Sequence, residues 1–285
     1  MKYSINTNCL RNIFSRQEIV NLAGEADLQG IEWGLHTLDN AAADAKEMTK
    51  LTLDAGLEVV SFINAPFCYK LDLMRRWSEA VASANGKILR VAPPWYAWDY
   101  AEAIKQNESF LYHLQVTRDG LTKLQELSGE FGIRYVIEIH AGSIAASPWG
   151  IKYLMDGLDP ETVGTIWDPA NMMLEGNIRP VASMELMGEY LSYVHVKNLE
   201  WNRKVDNSGW EFTRKTIDCG LVNYKEIIFA LKKFNYDGWL SFEELCTGKD
   251  NVVKEVTDAV KFLDKCIQDV PDKTVEPYLN YNFKD

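Results

Sequence analysis

Histidine is scarce: the chain has four in 285 residues, His36, His113, His140 and His195. So few imidazoles exclude a histidine-rich cluster of several zinc ions. The five cysteines, Cys9, Cys68, Cys219, Cys246 and Cys266, are scattered, odd in number and free of any CxxC spacing. That excludes a disulfide framework and a thiolate zinc site, and reduced thiols in a cytoplasmic protein are expected. No apolar run approaches a membrane span; the longest, such as 57–66, are short and interrupted. Met1-Lys2-Tyr3-Ser4 enters strand-like sequence at once, so no signal peptide is expected. Positive charge is in deficit, with a net charge of -11, which disfavours a phosphate backbone as partner. No Gly/Ser linker, low-complexity tract or strong repeat divides the chain. No glycine-rich phosphate loop stands out either, so phosphorylation of a substrate is left open.

What is present is an ample apolar fraction, 47%, in a regular alternation. Strand-like runs lie at 3–7, 30–34, 58–64, 87–92, 134–139, 162–167, 193–197 and 239–242. Helical patterns fall between them at 16–27, 41–55, 71–85, 108–131, 151–158, 181–191, 224–234 and 252–267. Ser15-Arg-Gln-Glu18 is a capping box at the first helix. Gly56 and Gly132 follow helical runs and precede strands, as helix stops do. This alternation predicts a parallel sheet covered by helices, a single (β/α)8 TIM barrel over 1–269. The tail, 270–285, is aromatic and without helical period. It is expected to pack on the barrel or on a neighbouring subunit of a homo-oligomer. The stretch 199–223 is too long for a plain connector and carries Trp201, Trp210 and Phe212. It reads as a lid or substrate wall.

Four acids and bases stand at the ends of four of those runs: Glu138, Asp168, His195 and Glu243. A parallel barrel gathers strand ends at one mouth, the usual place of catalytic groups. Alternation along a strand puts His140 on the face of Glu138, Lys197 on that of His195, and Ser241 on that of Glu243, while Glu244 points the other way. Three carboxylates would repel one another without a cation. Carboxylates with one imidazole suit a single Mn²⁺, with Co²⁺, Mg²⁺ or Zn²⁺ as alternatives. His140 reads as a substrate contact. Lys197 reads either as a substrate contact or as an ion-pair partner of a carboxylate. Glu32 reads as a substrate contact or as a partner of Arg203 or Arg214. Trp33, Phe67, Trp95, Trp167 and Trp201 are candidates for a pocket wall.

In order and spacing, Glu138, Asp168-Pro, His195-Val-Lys197 and Gly-x-x-x-x-Glu243 resemble the xylose-isomerase-like TIM barrels, a superfamily of sugar isomerases and epimerases that also holds type IV AP endonucleases. Gly30-Ile-Glu32-Trp and Asp218-Cys-Gly220-Leu-Val-Asn-Tyr add to the likeness, which covers nearly the whole chain. It implies a metal-dependent isomerase or epimerase of a small keto- or aldo-sugar, phosphorylated or not. That enzyme would act through an enediolate, with Glu138 and Glu243 as acid and base and Glu138, Asp168, His195 and Glu243 as metal ligands. His140, Lys197, Glu32, Trp201 and Arg214 would contact substrate. The same implied site would serve a dehydratase acting on a keto-sugar or keto-inositol. A non-catalytic sugar-binding barrel and an endonuclease rank below. Many relatives carry a histidine where this chain has Asn171, which argues against a second metal.

Overall fold

The computed structural model describes residues 1–94 and 109–272. Eight strands form a closed barrel: β1 (Lys2–Asn6), β2 (Gly30–Gly34), β3 (Glu58–Phe67), β4 (Ile88–Ala92), β5 (Arg134–Glu138), β6 (Val163–Trp167), β7 (Leu191–Val196) and β10 (Trp239–Phe242). Each pairs in parallel with its two neighbours, and β10 closes the ring between β7 and β1. Around it lie α1 (Arg16–Glu25), α2 (Ala41–Asp54), α3 (Leu71–Ala82), α4 (Phe110–Phe131), α5 (Pro148–Met155), α6 (Pro169–Leu174), α7 (Pro180–Met187), α8 (Tyr224–Lys233) and α9 (Val252–Asp269). A two-stranded antiparallel hairpin, β8 (Asn198–Arg203) and β9 (Trp210–Lys215), follows β7.

The two faces of the barrel strands carry different chemistry. Outward residues such as Ile5, Ile31, Leu89, Ile137, Val194 and Phe242 are fully buried in one apolar layer beneath the helices. Inward residues begin with an apolar plug: Val136, Ile166 and Tyr193, with Ile88 and Trp239 against them. One inward step further along the same strands stand Arg90, Glu138, Asp168, His195 and Ser241. Strand alternation thus converts five apolar positions into a polar layer at the C-terminal mouth.

Local sequence explains most boundaries. The Ser15 hydroxyl accepts from the Glu18 amide while the Glu18 carboxylate accepts from the Ser15 amide, closing the expected capping box. Gly132, at φ 64°, ends α4 in the left-handed region and donates to the Ser128 carbonyl.

Three readings needed correction. The helix expected at 151–158 runs Pro148–Met155, started by Ser147 as cap and Pro148 in the first turn. The helix expected at 181–191 is Pro180–Met187, because Gly188 (φ 51°) turns the chain out of it. The stretch 199–223 is no open loop: its first part is the hairpin, and Asn198 fastens the remainder. The Asn198 side chain donates to the carbonyls of Ile217 and Val222 and accepts from the Val222 amide. Gly220 passes so close that an added Cβ would meet the Asn198 side chain and the Leu199 carbonyl. The tail beyond 272 and Trp95 lie outside the described residues.

Candidate metal centre and adjoining cavity

The four residues singled out by sequence converge. Glu138 ends β5, Asp168 follows β6, His195 lies within β7 and Glu243 follows β10, four neighbouring strands in the ring. One ligand atom from each lies within 4.8 Å of the others, and all four side chains are buried. Asp168 owes its position to the chain's Asp-Pro step. It caps α6, with its Oδ1 accepting from the Asn171 amide at 2.9 Å, while Pro169 occupies the first turn.

Cationic and amide groups crowd into the same space. Lys197 Nζ lies 2.9 Å from Asp168 Oδ2 and 2.8 Å from Glu243 Oε2. Arg90 pairs with Glu138 Oε2 and stands 3.9 Å from Glu243 Oε1. Asn171 Nδ2 donates to Asp168 Oδ2 at 2.9 Å and Glu138 Oε1 at 3.2 Å. His195 places Nδ1 3.1 Å from Glu138 Oε1 and 3.4 Å from Glu243 Oε2. Its other nitrogen, Nε2, meets Glu32 at 3.0 and 3.1 Å. Tyr193 and Asn6 donate to Glu32 as well, at 3.1 and 3.3 Å.

The electrostatics follow from burial and count. Four buried carboxylates, Glu32 included, face two permanent cations, Arg90 and Lys197. Burial opposes the charge on Glu138, yet Arg90 and His195 hold its carboxyl below the usual range. Glu243 is likewise held well below it against burial, by Lys197 and His195. Asp168 goes the other way, pushed up to about 6 by burial, which Lys197 only partly offsets. Burial would drive the proton off His195, but Glu243, Glu32 and Glu138 raise its affinity well above the ordinary value. A dry pocket of hard oxygen donors with one imidazole and surplus negative charge fits a divalent cation. Glu138, Asp168, His195 and Glu243 are the residues that could hold one.

Beside the set opens a cavity of about 160 Å³, with His140, Lys197, Arg214 and Phe212 among its lining residues. Asn171 and Glu244 line it too. Of the expected substrate contacts, His140, Lys197 and Arg214 are therefore placed there. Trp201 stands next to Phe212 on the hairpin, with ring centroids 6.1 Å apart. Glu32 is on the far side of His195, and Arg214 pairs instead with Glu244 at 2.6 Å. Glu244 was expected to face away. Its left-handed φ of 56° swings the carboxylate back toward Arg214 and Lys197. Trp33 and Trp167 do not wall the cavity; both are buried in the outer apolar layer. Sequence reasoning missed Arg90 and Asn6, both inward by strand parity and both polar inside apolar runs, which was their one available signal.

The profile of the xylose isomerase-like TIM barrel family matches residues 20–266. An inosose dehydratase of Bacillus licheniformis is 24% identical over 164 residues, which is 54% of this chain and 54% of that protein. The chain thus matches the curated relatives over about half their length. Two solved structures share the fold at low identity. A 3-keto-D-glucoside 4-epimerase from E. coli has a TM-score of 0.73 at 17% identity, covering 93% of this chain and 100% of that one. A probable 3-DHS dehydratase from Bacillus anthracis has a TM-score of 0.72 at 16% identity, covering 92% and 99%.

Proposed function

The chain belongs to the xylose isomerase-like TIM barrel family, and from that premise we propose a divalent-metal-dependent isomerase or epimerase of a small keto-sugar. One observation carries this reading: Glu138 and Glu243 flank the ligand arc from its two outer strands, β5 and β10, both buried, and each is one hydrogen bond from a residue that lines the small cavity, Glu138 through Asn171 and Glu243 through Lys197. Two carboxylates on opposite sides of a bound ketose are what proton removal at one face and return at the other require.

Mn²⁺ suits the donor set best; when bound, it would supply positive charge to the substrate's carbonyl oxygen as the neighbouring carbon loses its proton. The chain's own groups do the rest. Lys197, already among Asp168, Glu243 and Glu244, offers its ammonium to a substrate oxygen in the cavity. Arg214, held by Glu244, and His140 orient hydroxyls. Asn171 donates to Glu138 and Asp168 and so keeps both oxygens turned inward. Glu138 or Glu243 takes the proton, and the other returns one.

A second reading has its own support. Inosose dehydratases are among the curated relatives that the sequence matches, and dehydration of a keto-polyol begins with the same proton removal but ends by expelling a β-hydroxyl. Incubation with a panel of keto-sugars and keto-inositols in D₂O with Mn²⁺ separates the outcomes. An epimerase or isomerase returns the carbon skeleton intact with solvent deuterium beside the carbonyl, whereas a dehydratase releases water and forms an unsaturated product. No exchange and no product across the panel would remove both readings.

A further inference from the structure

The cavity beside the ligand set holds about 160 Å³, well below the roughly 300–1,000 Å³ of pockets that enclose a drug-sized ligand. It accommodates one sugar ring. Its outer wall is the hairpin, and the register of β8 and β9 divides that hairpin into two unlike faces. Directly opposed pairs share a face, so Leu199 with Arg214, Trp201 with Phe212, and Arg203 with Trp210 lie on one side. The other side is polar, with a Glu200–Lys215 ion pair at 2.7 Å and an Asn202–Thr213 hydrogen bond at 2.8 Å.

The aromatic face is the one that meets the cavity. Leu199, Phe212 and Arg214 line it directly. Trp201 comes next, tethered to α6 by its indole N–H, which donates to the Met173 carbonyl at 3.4 Å. Trp210 comes last. Moving outward, these rings remain open to solvent: Phe212 is 41% exposed, Trp201 39% and Trp210 64%. The Trp201–Phe212 edge contact serves the hairpin's own stability, as cross-strand aromatic pairs do. It does not account for Trp210 on the same side.

Building on the keto-sugar reading, we infer that this aromatic strip is a second subsite, continuous with the sugar cavity, for a planar apolar group attached to the sugar. The substrate class is then an aryl glycoside or similar conjugate carrying a ring ketone, rather than a free sugar. A group that leaves the cavity along the hairpin's aromatic face crosses Phe212 and then Trp201. Flat rings there offer stacking surface at little conformational cost, and Arg203 and Arg214 at either end of the face donate to phenolic or carboxylate oxygens.

The test uses the full chain and a pair of probes, methyl and phenyl β-D-glucoside, each as the parent sugar and as its ring-ketone form. Binding is followed by tryptophan fluorescence and calorimetry, and reaction by solvent deuterium uptake in the presence of Mn²⁺. Phenyl probes should bind at least tenfold more tightly than methyl probes. Trp201→Ala and Trp210→Ala should each shrink that ratio below threefold while leaving the methyl probes' affinity unchanged. Equal affinity for phenyl and methyl, no saturable phenyl binding, or equal losses for both probes in the variants would overturn the subsite. So would a concentration-dependent dimer abolished by Trp210→Ala, which would assign the face to a second copy of the chain. Phenyl-selective binding without deuterium uptake from either ketone would uphold the subsite and count against the enzymatic reading beneath it.

Discussion

Glu32 sits behind the ligand set, and its weight is felt through His195. By taking Nε2, it fixes the imidazole so that Nδ1 faces the carboxylates, the outer-shell arrangement that orients a metal-binding histidine. Glu32→Gln keeps the shape and removes a charge. Metal affinity should fall by about tenfold to a hundredfold, while stability in chelator should not fall, because one of four buried carboxylates has lost its charge. Calorimetric titration with Mn²⁺ and urea denaturation in chelator read the two effects separately. Unchanged affinity would reduce Glu32 to a filler of the barrel. Arg90 is the opposite case. Arg90→Met leaves buried Glu138 without its cation, and breaking such a pair costs about 3–5 kcal/mol. Urea denaturation in chelator should show that loss, and saturating Mn²⁺ should recover part of it. A variant as stable as wild type would mean that the pair is energetically idle.

Among the elements, α1 offers a test that is independent of the site. The Glu18 carboxyl is held down to about 2, first by the Ser15 backbone hydrogen bond and then by Lys249. A carboxylate depressed on folding stabilises above its unfolded value of about 4.3 and loses that contribution as pH falls toward its folded value. The difference in urea midpoint between wild type and Glu18→Gln should therefore be constant from pH 5 to 7 and shrink to nothing near pH 2. A gap that persists at pH 2 would locate the effect in shape and not charge. The hairpin carries the test of function at this scale. Replacing 200–213 by a short turn should lower kcat/KM at least tenfold, about 1.4 kcal/mol, and leave Mn²⁺ affinity unchanged, since no ligand lies on it. Full turnover after trimming would make the hairpin dispensable.

What the sequence made legible, and what it hid, divides along the same line. Period-two alternation and apolar runs revealed all eight barrel strands, and the ends of four of them revealed the four side chains that converge at the mouth, because a parallel barrel gathers its strand ends there. The hairpin was hidden because β9 is exposed along almost its whole length, so it lacks the half-buried alternation by which strands are recognised. Arg90 was hidden because an inward charge reads in sequence like an outward one. The partner of Glu32 was hidden because it depends on β2 and β7 facing each other across the barrel, 163 positions apart in the chain.

At the scale of the whole molecule, the apolar plug has a consequence for traffic. Val136, Ile166 and Tyr193, backed by Ile88 and Trp239, close the barrel beneath the polar layer, so the lower end offers ion and substrate no passage. On the proposed reading both would use the mouth, where the cavity adjoins the candidate ligands through Asn171 and Lys197. That reading predicts an ordered arrival: the ion first, the sugar after it, and departure in reverse. A saturating ketose should act as a stopper. Its presence should slow inactivation by a chelator at least fivefold, whereas raising chelator concentration in its absence should speed inactivation in proportion. An inactivation rate indifferent to ketose would mean that the ion has another way out.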